Sequence, residues 1–553
     1  MPHHPPARLA LALTAALAAA ALALVTASAA DHEPPAKPPS KLSGPLVVLL
    51  EAFEYAPAAP AGYAAALAEP SSPSAAYLTA GIVRITGDGV QTYIHVAAID
   101  DALRAALTSL GVVIERESED GSTVQAHVPL GVLAQVADLA GVRSVTPPVY
   151  GFVNAGSALT AGDSILSFDD LRAAQGVDGT GVTVGVISDG IAGLLSAVGS
   201  GDLPATSETR DGGGKLTATS DGVISTSFRA DGDLEAGLDG GVGAEGTAIL
   251  EIIHDIAPGA QLRFANFSTT LEFMAAVDYL ASVSDVVIDD IGFFARPTDQ
   301  TSDVSTNTAA ALTNAANPIR AYATSAGNHA LRHYEETYVD SGVDGAPFTN
   351  VAGRLHEFKA TAKTTDAQSL GTRAANQVAV APGGTIVIRL TWDDDFGAAT
   401  TDYDLFLREF PTGPVVAVGG DDNHADTGTG EPSEVIAFTN ASGVTKIYDV
   451  FIQNFLNASP AHVLEMFVQS GGVPFAGGAR FNFNTVAGSV PAQSDAGGGV
   501  LSVGAIDADD DGHDTIEPFS SQGPAGGALK PDVTAIDGVA VTGAGGFPST
   551  FFG

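Results

Sequence analysis

Gly181-Val-Thr-Val-Gly-Val-Ile-Ser-Asp-Gly190 is the stretch that decides the fold. Its Val182–Ile187 portion lacks the polar alternation of a half-solvated strand, which is the pattern of a strand buried on both faces of a parallel sheet. Asp189 and Gly190 close it at the carboxyl end, where open α/β sheets place their ligands. Outward from it, strands and helices alternate over residues 160–337. Ala248–Ile256 reads as a helix halted by Ala257-Pro258-Gly259-Ala260. Gln261–Phe267 reads as a strand, Leu271–Leu280 as a helix, Asp285–Ile291 as a strand, Thr308–Ala316 as a helix and Ile319–Ser325 as a strand. The expected fold class is α/β, a doubly wound parallel sheet.

Flanking regions read differently. Over residues 82–148 the order is β-α-β-β-α-β, the split unit of ferredoxin-like domains. Residues 30–81, rich in Pro, Ala and Ser, read as a linker with one strand at Leu46–Leu50. From 338 to 492 helical periodicity disappears. Seven strands recur there (Gln377–Val380, Thr385–Trp392, Tyr403–Arg408, Val415–Val418, Ser433–Asn440, Lys446–Phe455 and His462–Gln469), separated by Gly, Asp, Asn and Pro. That spacing predicts an antiparallel β-sandwich inserted within the α/β region, which resumes over 493–553 with a strand at Gly499–Ile506.

The 553 residues carry 64 Asp and Glu against 24 Lys and Arg, a formal charge of −40. Such a charge repels phosphate backbones, so nucleic acid is not an expected partner. There is no cysteine, which excludes disulfides and thiolate chemistry. Residues 1–29 read as an export signal: Arg8 gives a basic start, Leu9–Val25 is apolar, and Ala27-Ser28-Ala29 has the small-x-small cleavage pattern. The other reading of this run, a membrane anchor, fits less well because of that site. The expectation is a secreted bacterial protein without stable membrane insertion.

Two further segments accompany Asp189-Gly190. Ala244-Glu-Gly-Thr-Ala248 opens the first helix, and Ala323-Thr-Ser-Ala-Gly-Asn-His329 follows a strand. In this order they resemble the first three active-site segments of the subtilisin-like serine peptidases, the subtilases. Pro518-Phe-Ser-Ser-Gln-Gly-Pro524 and Leu529-Lys-Pro-Asp-Val533 resemble stretches before the nucleophile in that family. The Gly-Thr-Ser-x-Ala segment bearing that serine is expected after Phe551-Phe552-Gly553. The resemblance implies hydrolysis of protein or peptide substrates, an N-terminal module acting as the protein's own propeptide, and no cofactor for the chemistry.

The same resemblance assigns roles. Asp189 orients the base, Glu245 stands where subtilases carry histidine and takes the serine proton, and Asn328 holds the oxyanion. Related sedolisins use Glu with Ser and Asp, but their additional Asp four residues on is Ile249 here, so Asp189 is the expected partner of Glu245. Two carboxyls in contact share a proton, which points to activity peaking below neutral pH. Read without the resemblance, Asp189 is a turn or cap residue, Glu245 a helix N-terminal acid, and Asn328 a turn residue. The chain would then be a catalytically dead binding protein or adhesin. His254 lies late in the helix, more than two turns from its start, and His329 reads as a neighbour of the site. Asp289-Asp290 reads either as a cleft lining or as solvated turn acids. Asp507, Asp509 and Asp511 have the alternating oxygens of a calcium loop, without its terminal Glu. A second calcium reading falls on Asp393–Asp395 with Asp402 and Asp404.

Overall fold

The computed structural model describes residues 41–55, 73–150, 160–238, 240–349, 352–358, 362–363, 373–471 and 478–553. The export-signal reading and much of the linker reading lie outside them. No helix among the described residues is long and apolar enough to cross a membrane.

The chain first forms strands β1 (Ile85–Thr86), β2 (Gly89–Val96), β3 (Val113–Glu117), β4 (Thr123–Pro129) and β5 (Val142–Thr146). Helices Asp101–Ser109 and Leu133–Ala137 connect β2 to β3 and β4 to β5. All pairings are antiparallel, and β2 lies between β4 and β5 while β4 also holds β3. The order across the sheet is therefore β5-β2-β4-β3, with β1 beside the start of β2. The stretch Leu46–Leu50, expected to be a strand, lies inside a helix, Gly44–Tyr55. A short apolar run does not distinguish strand from helix by periodicity alone. Here Leu46 and Leu49, three apart, turn into one core with Tyr77 and Ile82.

The large sheet contains β6 (Thr183–Ser188), β7 (Thr206–Arg210), β8 (Leu216–Asp221), β9 (Val223–Ser227), β10 (Gln261–Asn266), β11 (Val286–Asp289) and β12 (Ala321–Ser325). Two later strands complete it. Its order is fixed by seven parallel strands around β6, with a β7-β8 hairpin extending one edge antiparallel. From β6 the chain moves outward to β9, returns through β10 beside β6, then crosses to β11 on the other side. That reversal makes the carboxyl ends of β6 and β11 a topological switch point. Val184 and Val186 face a core with Leu250 and Ile253 of helix Glu245–Ile256. Ile187 and Val287 face the opposite core with Phe273, Val277 and Leu280 of helix Thr270–Val283. Burial on both faces explains why polar residues are scarce along this strand.

Between β12 and the return to the large sheet lie β13 (His333–Thr337), β14 (Asp340–Asp344), β15 (Gly353–His356), β16 (Ala362–Lys363), β17 (Asn376–Val380), β18 (Thr385–Trp392), β19 (Tyr403–Glu409), β20 (Val415–Gly419), β21 (Ser433–Thr439), β22 (Lys446–Phe455), β23 (Val463–Gly471) and β24 (Phe483–Asn484). One antiparallel sheet runs β13-β23-β18-β21. The other runs β14-β15-β22-β19-β20, with β17 also on β22. Ile388, Leu390, Met466 and Val468 of the first share a core with Val378, Leu405, Val450 and Ile452 of the second. Finally β25 (Leu501–Asp507) pairs with β12 and β26 (Val533–Asp537) with β25, both parallel.

The N-terminal sheet docks on the first turn of helix Thr270–Val283. Thr269 Oγ1 donates to Gln125 Oε1 at 2.8 Å, and Gln125 Nε2 donates to Glu272 Oε1 at 3.0 Å. Leu271 N–H donates to the Tyr93 hydroxyl at 3.2 Å. The helix's own Thr269–Glu272 capping box is thus extended by the neighbouring sheet. All three of Gln125, Thr269 and Glu272 are buried, so deleting one partner leaves polar atoms unsatisfied. Gln125→Ala is expected to cost about 1–3 kcal/mol in denaturant titration, with hydrogen exchange at Thr270–Glu272 rising first. Unchanged exchange there would show that the contact does not hold the sheet in place.

Candidate functional site

Helix Glu245–Ile256 begins without a side-chain cap from its own Ala244. The cap comes from the neighbouring strand end: Asp189 Oδ1 accepts the Glu245 N–H at 3.1 Å and also binds the Gly190 and Gly246 amides. A carboxylate at a helix N-terminus is favoured by the orphan N–H groups and the helix dipole. Gly246 makes the approach possible, because a Cβ there would fall 2.3 Å from the Phe264 ring and 2.6 Å from the Gly190 carbonyl oxygen.

Glu245 is completely buried, and Asp189 and Asp290 are only 7% and 8% exposed. Asp289 pairs in register with Ile187 on β6 and Thr324 on β12, so the next residue, Asp290, leaves β11 beside the end of β6. Both Asp290 and Asp189 act on the Glu245 carboxyl through their charges, and Asp290 also lies close enough to share a hydrogen bond with it when one of the two is protonated. The expected Asp189–Glu245 relation is present as a charge interaction, with Asp290 as a further carboxyl. Asp189 also holds the helix backbone. Glu245 and Asp290 can bond only when one of them carries a proton, since two carboxylates have no donor between them.

Burial is the main force raising all three acids above the ordinary carboxylate range. It carries Asp189 and Asp290 into the neutral range and Glu245 well upward. The Asp290 charge adds to the rise at Asp189 and Glu245, and the Asp289 charge to that at Asp290. Hydrogen bonds from backbone amides oppose the rise at Asp189 but do not cancel it.

The adjacent Asp289 has another role. Its carboxylate accepts from Tyr322 Oη at 2.7 Å, Thr324 Oγ1 at 2.5 Å, Gln493 Nε2 at 2.7 Å and the Ile291 amide at 3.1 Å. It is a buried tie between β11, β12 and the returning chain, neither a cleft acid nor a solvated turn acid.

Asn328 lies three residues beyond β12 and is 2% exposed. Its Nδ2 donor makes no hydrogen bond among the described residues. The loop around it is fixed from the 518–524 segment: Ser521 N–H donates to the Gly327 carbonyl at 2.8 Å, and the His329 N–H donates to Ser521 Oγ at 3.0 Å. Ser521 is thus a positioning residue that the sequence places only through the 518–524 motif. The His329 ring packs edge-on to Phe294 and Phe467, and burial lowers its pKa to about 3, leaving a neutral ring. His254 stays in the last helical turn, away from the acid cluster.

A cavity of about 700 Å³ opens beside Asp189, walled by Arg84, Tyr93 and Tyr150 of the N-terminal region and by Leu238 and Arg296. The Arg84 guanidinium lies 3.6 Å from the centre of the Tyr150 ring.

The residues of the expected calcium loop lie at and just after the end of β25. Among the described residues, Asp507, Asp509 and Asp511 do not bring three carboxylate oxygens together. Asp507 lies beside Glu517 and Asp537: burial raises both of their pKa values, the Asp507 charge adds to the rise at Glu517, and the Glu517 and Asp507 charges add to that at Asp537. Asp509 donates its backbone N–H to Asp507, using the oxygen in a turn. Asp402 and Asp404 do converge, with Glu434, while Asp393 bonds His462.

No family model matches the chain, and no curated protein matches it. Among solved structures, the CspB protease of Clostridium perfringens is 12% identical, with 71% of this chain and 83% of that one covered at a TM-score of 0.40. Fervidolysin from Fervidobacterium pennivorans, a keratinolytic enzyme related to subtilisin, is 11% identical over 70% and 77%, with a TM-score of 0.25. The epidermin leader peptide processing serine protease of Staphylococcus aureus is 10% identical over 44% and 62%, with a TM-score of 0.26. At this level of likeness no residue role passes from them to this chain.

Proposed function

We propose that this protein is a secreted serine endopeptidase of the subtilase type in which a Glu245–Asp290 carboxyl pair replaces the histidine base. The observation that carries the reading is the cluster of buried carboxyls, Asp189, Glu245 and Asp290, at the switch point of the parallel sheet. The unsatisfied Asn328 amide, carried beyond the end of β12, supports it. The reading requires a serine hydroxyl, which no described residue donates to Glu245.

In the proposed reaction the serine Oγ attacks the peptide carbonyl carbon. Its proton passes to the singly ionised pair, and the carbonyl oxygen becomes an oxyanion held by the Asn328 Nδ2–H. The pair then gives that proton to the leaving amine nitrogen as the C–N bond breaks. Asp189 fixes the backbone from which Glu245 projects. The N-terminal β-α-β-β-α-β module serves as the propeptide, a role supported by its docking on helix Thr270–Val283 and by its walls around the Asp189 cavity. The two-sheet module between β12 and β25 is read as an inserted sandwich.

The test is casein hydrolysis by the protein expressed from its full reading frame, from acid to alkaline pH. A bell-shaped profile is expected, since the active pair holds one proton. Glu245→Ala should abolish turnover, and Asn328→Ala should lower kcat by about 10²–10³. No turnover at any pH, or turnover that survives Glu245→Ala, overturns the reading. The first of these outcomes favours the binding-protein alternative.

A further inference from the structure

Where the chain leaves the large sheet and where it comes back, three acid–base side chains converge that the peptidase reading does not use. His333 and Glu335 stand two apart on β13 and so share one face of the strand. Glu465 on β23 is the direct cross-strand partner of Glu335. Like charges directly opposite each other destabilise a sheet, and among the described residues neither glutamate pairs with Lys or Arg. Ligand atoms of all three residues lie within 4.8 Å of one another.

The histidine is aimed at this point. Its ring is fully buried. Nδ1 lies 2.8 Å from the Thr485 carbonyl oxygen, which can only accept, so Nδ1 carries the hydrogen. Nε2 faces Glu465 Oε1 at 3.5 Å and makes no hydrogen bond among the described residues. That separation is long for a charge-assisted N–H···O bond of about 2.7–2.9 Å. It matches the roughly 3.3 Å between two ligands of a tetrahedral ion whose bonds are about 2.0–2.1 Å.

The surroundings hold the ligands in place. Thr298 and Thr391 hydroxyls donate to Glu465 at 3.1 and 3.3 Å. Gly488 leaves room for Glu335, since a Cβ there would fall 2.4 Å from Oε2. A metal-binding imidazole typically has its other N–H on a backbone carbonyl, as His333 has on Thr485.

We propose that His333, Glu335 and Glu465 bind one divalent transition-metal cation at the junction between the large sheet and the two-sheet module. Two carboxylates balance its charge, and one nitrogen with two oxygens suits Zn²⁺, Mn²⁺ or Co²⁺. The ion ties β13, which begins five residues after Asn328, to β23 beside the returning segment at Thr485.

Co²⁺ is the probe. The full chain, stripped with EDTA, is titrated with Co²⁺ and followed by its visible absorption, then challenged with Zn²⁺. One saturable equivalent is expected, displaced by Zn²⁺. His333→Gln should abolish the nitrogen-dependent absorption, and Glu335→Gln should weaken binding by about tenfold or more. Glu335→Gln removes a like-charge pair, so its apo form should be at least as stable as the parent; this separates ligand loss from misfolding. If His333 is instead an imidazolium counter-ion, Co²⁺ will not saturate or will bind equally well to Glu335→Gln. Either result overturns the proposal.

Discussion

Asp290→Asn is expected to raise the unfolding free energy near pH 8 by about 2–4 kcal/mol and to change it little near pH 4. The sign follows from burial. Asp290 sits beside Glu245 and Asp189 with its proton affinity raised chiefly by desolvation. The folded chain therefore binds more protons there than the unfolded chain, whose carboxyls titrate near pH 4. Stability contributed by the protonated group is complete below that pH and is lost as pH climbs through neutrality. An amide cannot ionise, so it escapes the loss. It also keeps a donor and an acceptor facing Glu245. Urea titrations at the two pH values measure the effect. An equal gain at both would mean that packing, not proton affinity, changed. Under the peptidase reading the same substitution costs activity, a trade common where buried charges serve a reaction.

Asp449→Ala is expected to cost about 3–5 kcal/mol. Asp449 lies on β22, wholly buried, between Gln377 on β17 and Arg408 on β19, its register partners on either side. Arg408 Nη2 donates to Oδ2 at 2.6 Å and Gln377 Nε2 to Oδ1 at 3.0 Å. The Arg408 side chain is only 6% exposed, so removing the carboxylate strands a cation in a dry sheet. The double variant Asp449→Leu with Arg408→Met should recover much of the loss, because an apolar pair incurs no desolvation cost. If the single variant unfolds at the same denaturant concentration as the parent, water reaches Arg408 and the pair is not dry.

Most of the architecture can be read from periodicity. The strands Thr385–Trp392 and Lys446–Phe455 coincide with their expected bounds. The parallel strand before Asp189 is legible because both its faces are covered, which removes polar alternation. Leu46–Leu50 misleads because five apolar residues fit either period. At the site, Asp189, Glu245 and Asn328 are visible through local motifs. The partner of Glu245 is not, since Asp290 reaches it only through a cross-sheet neighbour relation between β6 and β11. Nor is the His333 cluster, whose third member is 130 residues away in sequence and joined only by strand register. Its one local trace is the His-Tyr-Glu alternation on β13.

The Thr485 N–H donates to the His333 carbonyl at 3.0 Å, so the ends of the intervening segment meet. That contact shortens a long chain closure in the large sheet. While the segment is a random coil, bringing Ala323 to its partner Leu501 means closing a loop of about 180 residues. Once the two facing sheets have formed, the effective loop shrinks to about 26 residues, and the closure cost falls by about 1.7 kcal/mol. Prior formation of the two facing sheets therefore lowers the entropic cost of joining β12 to β25.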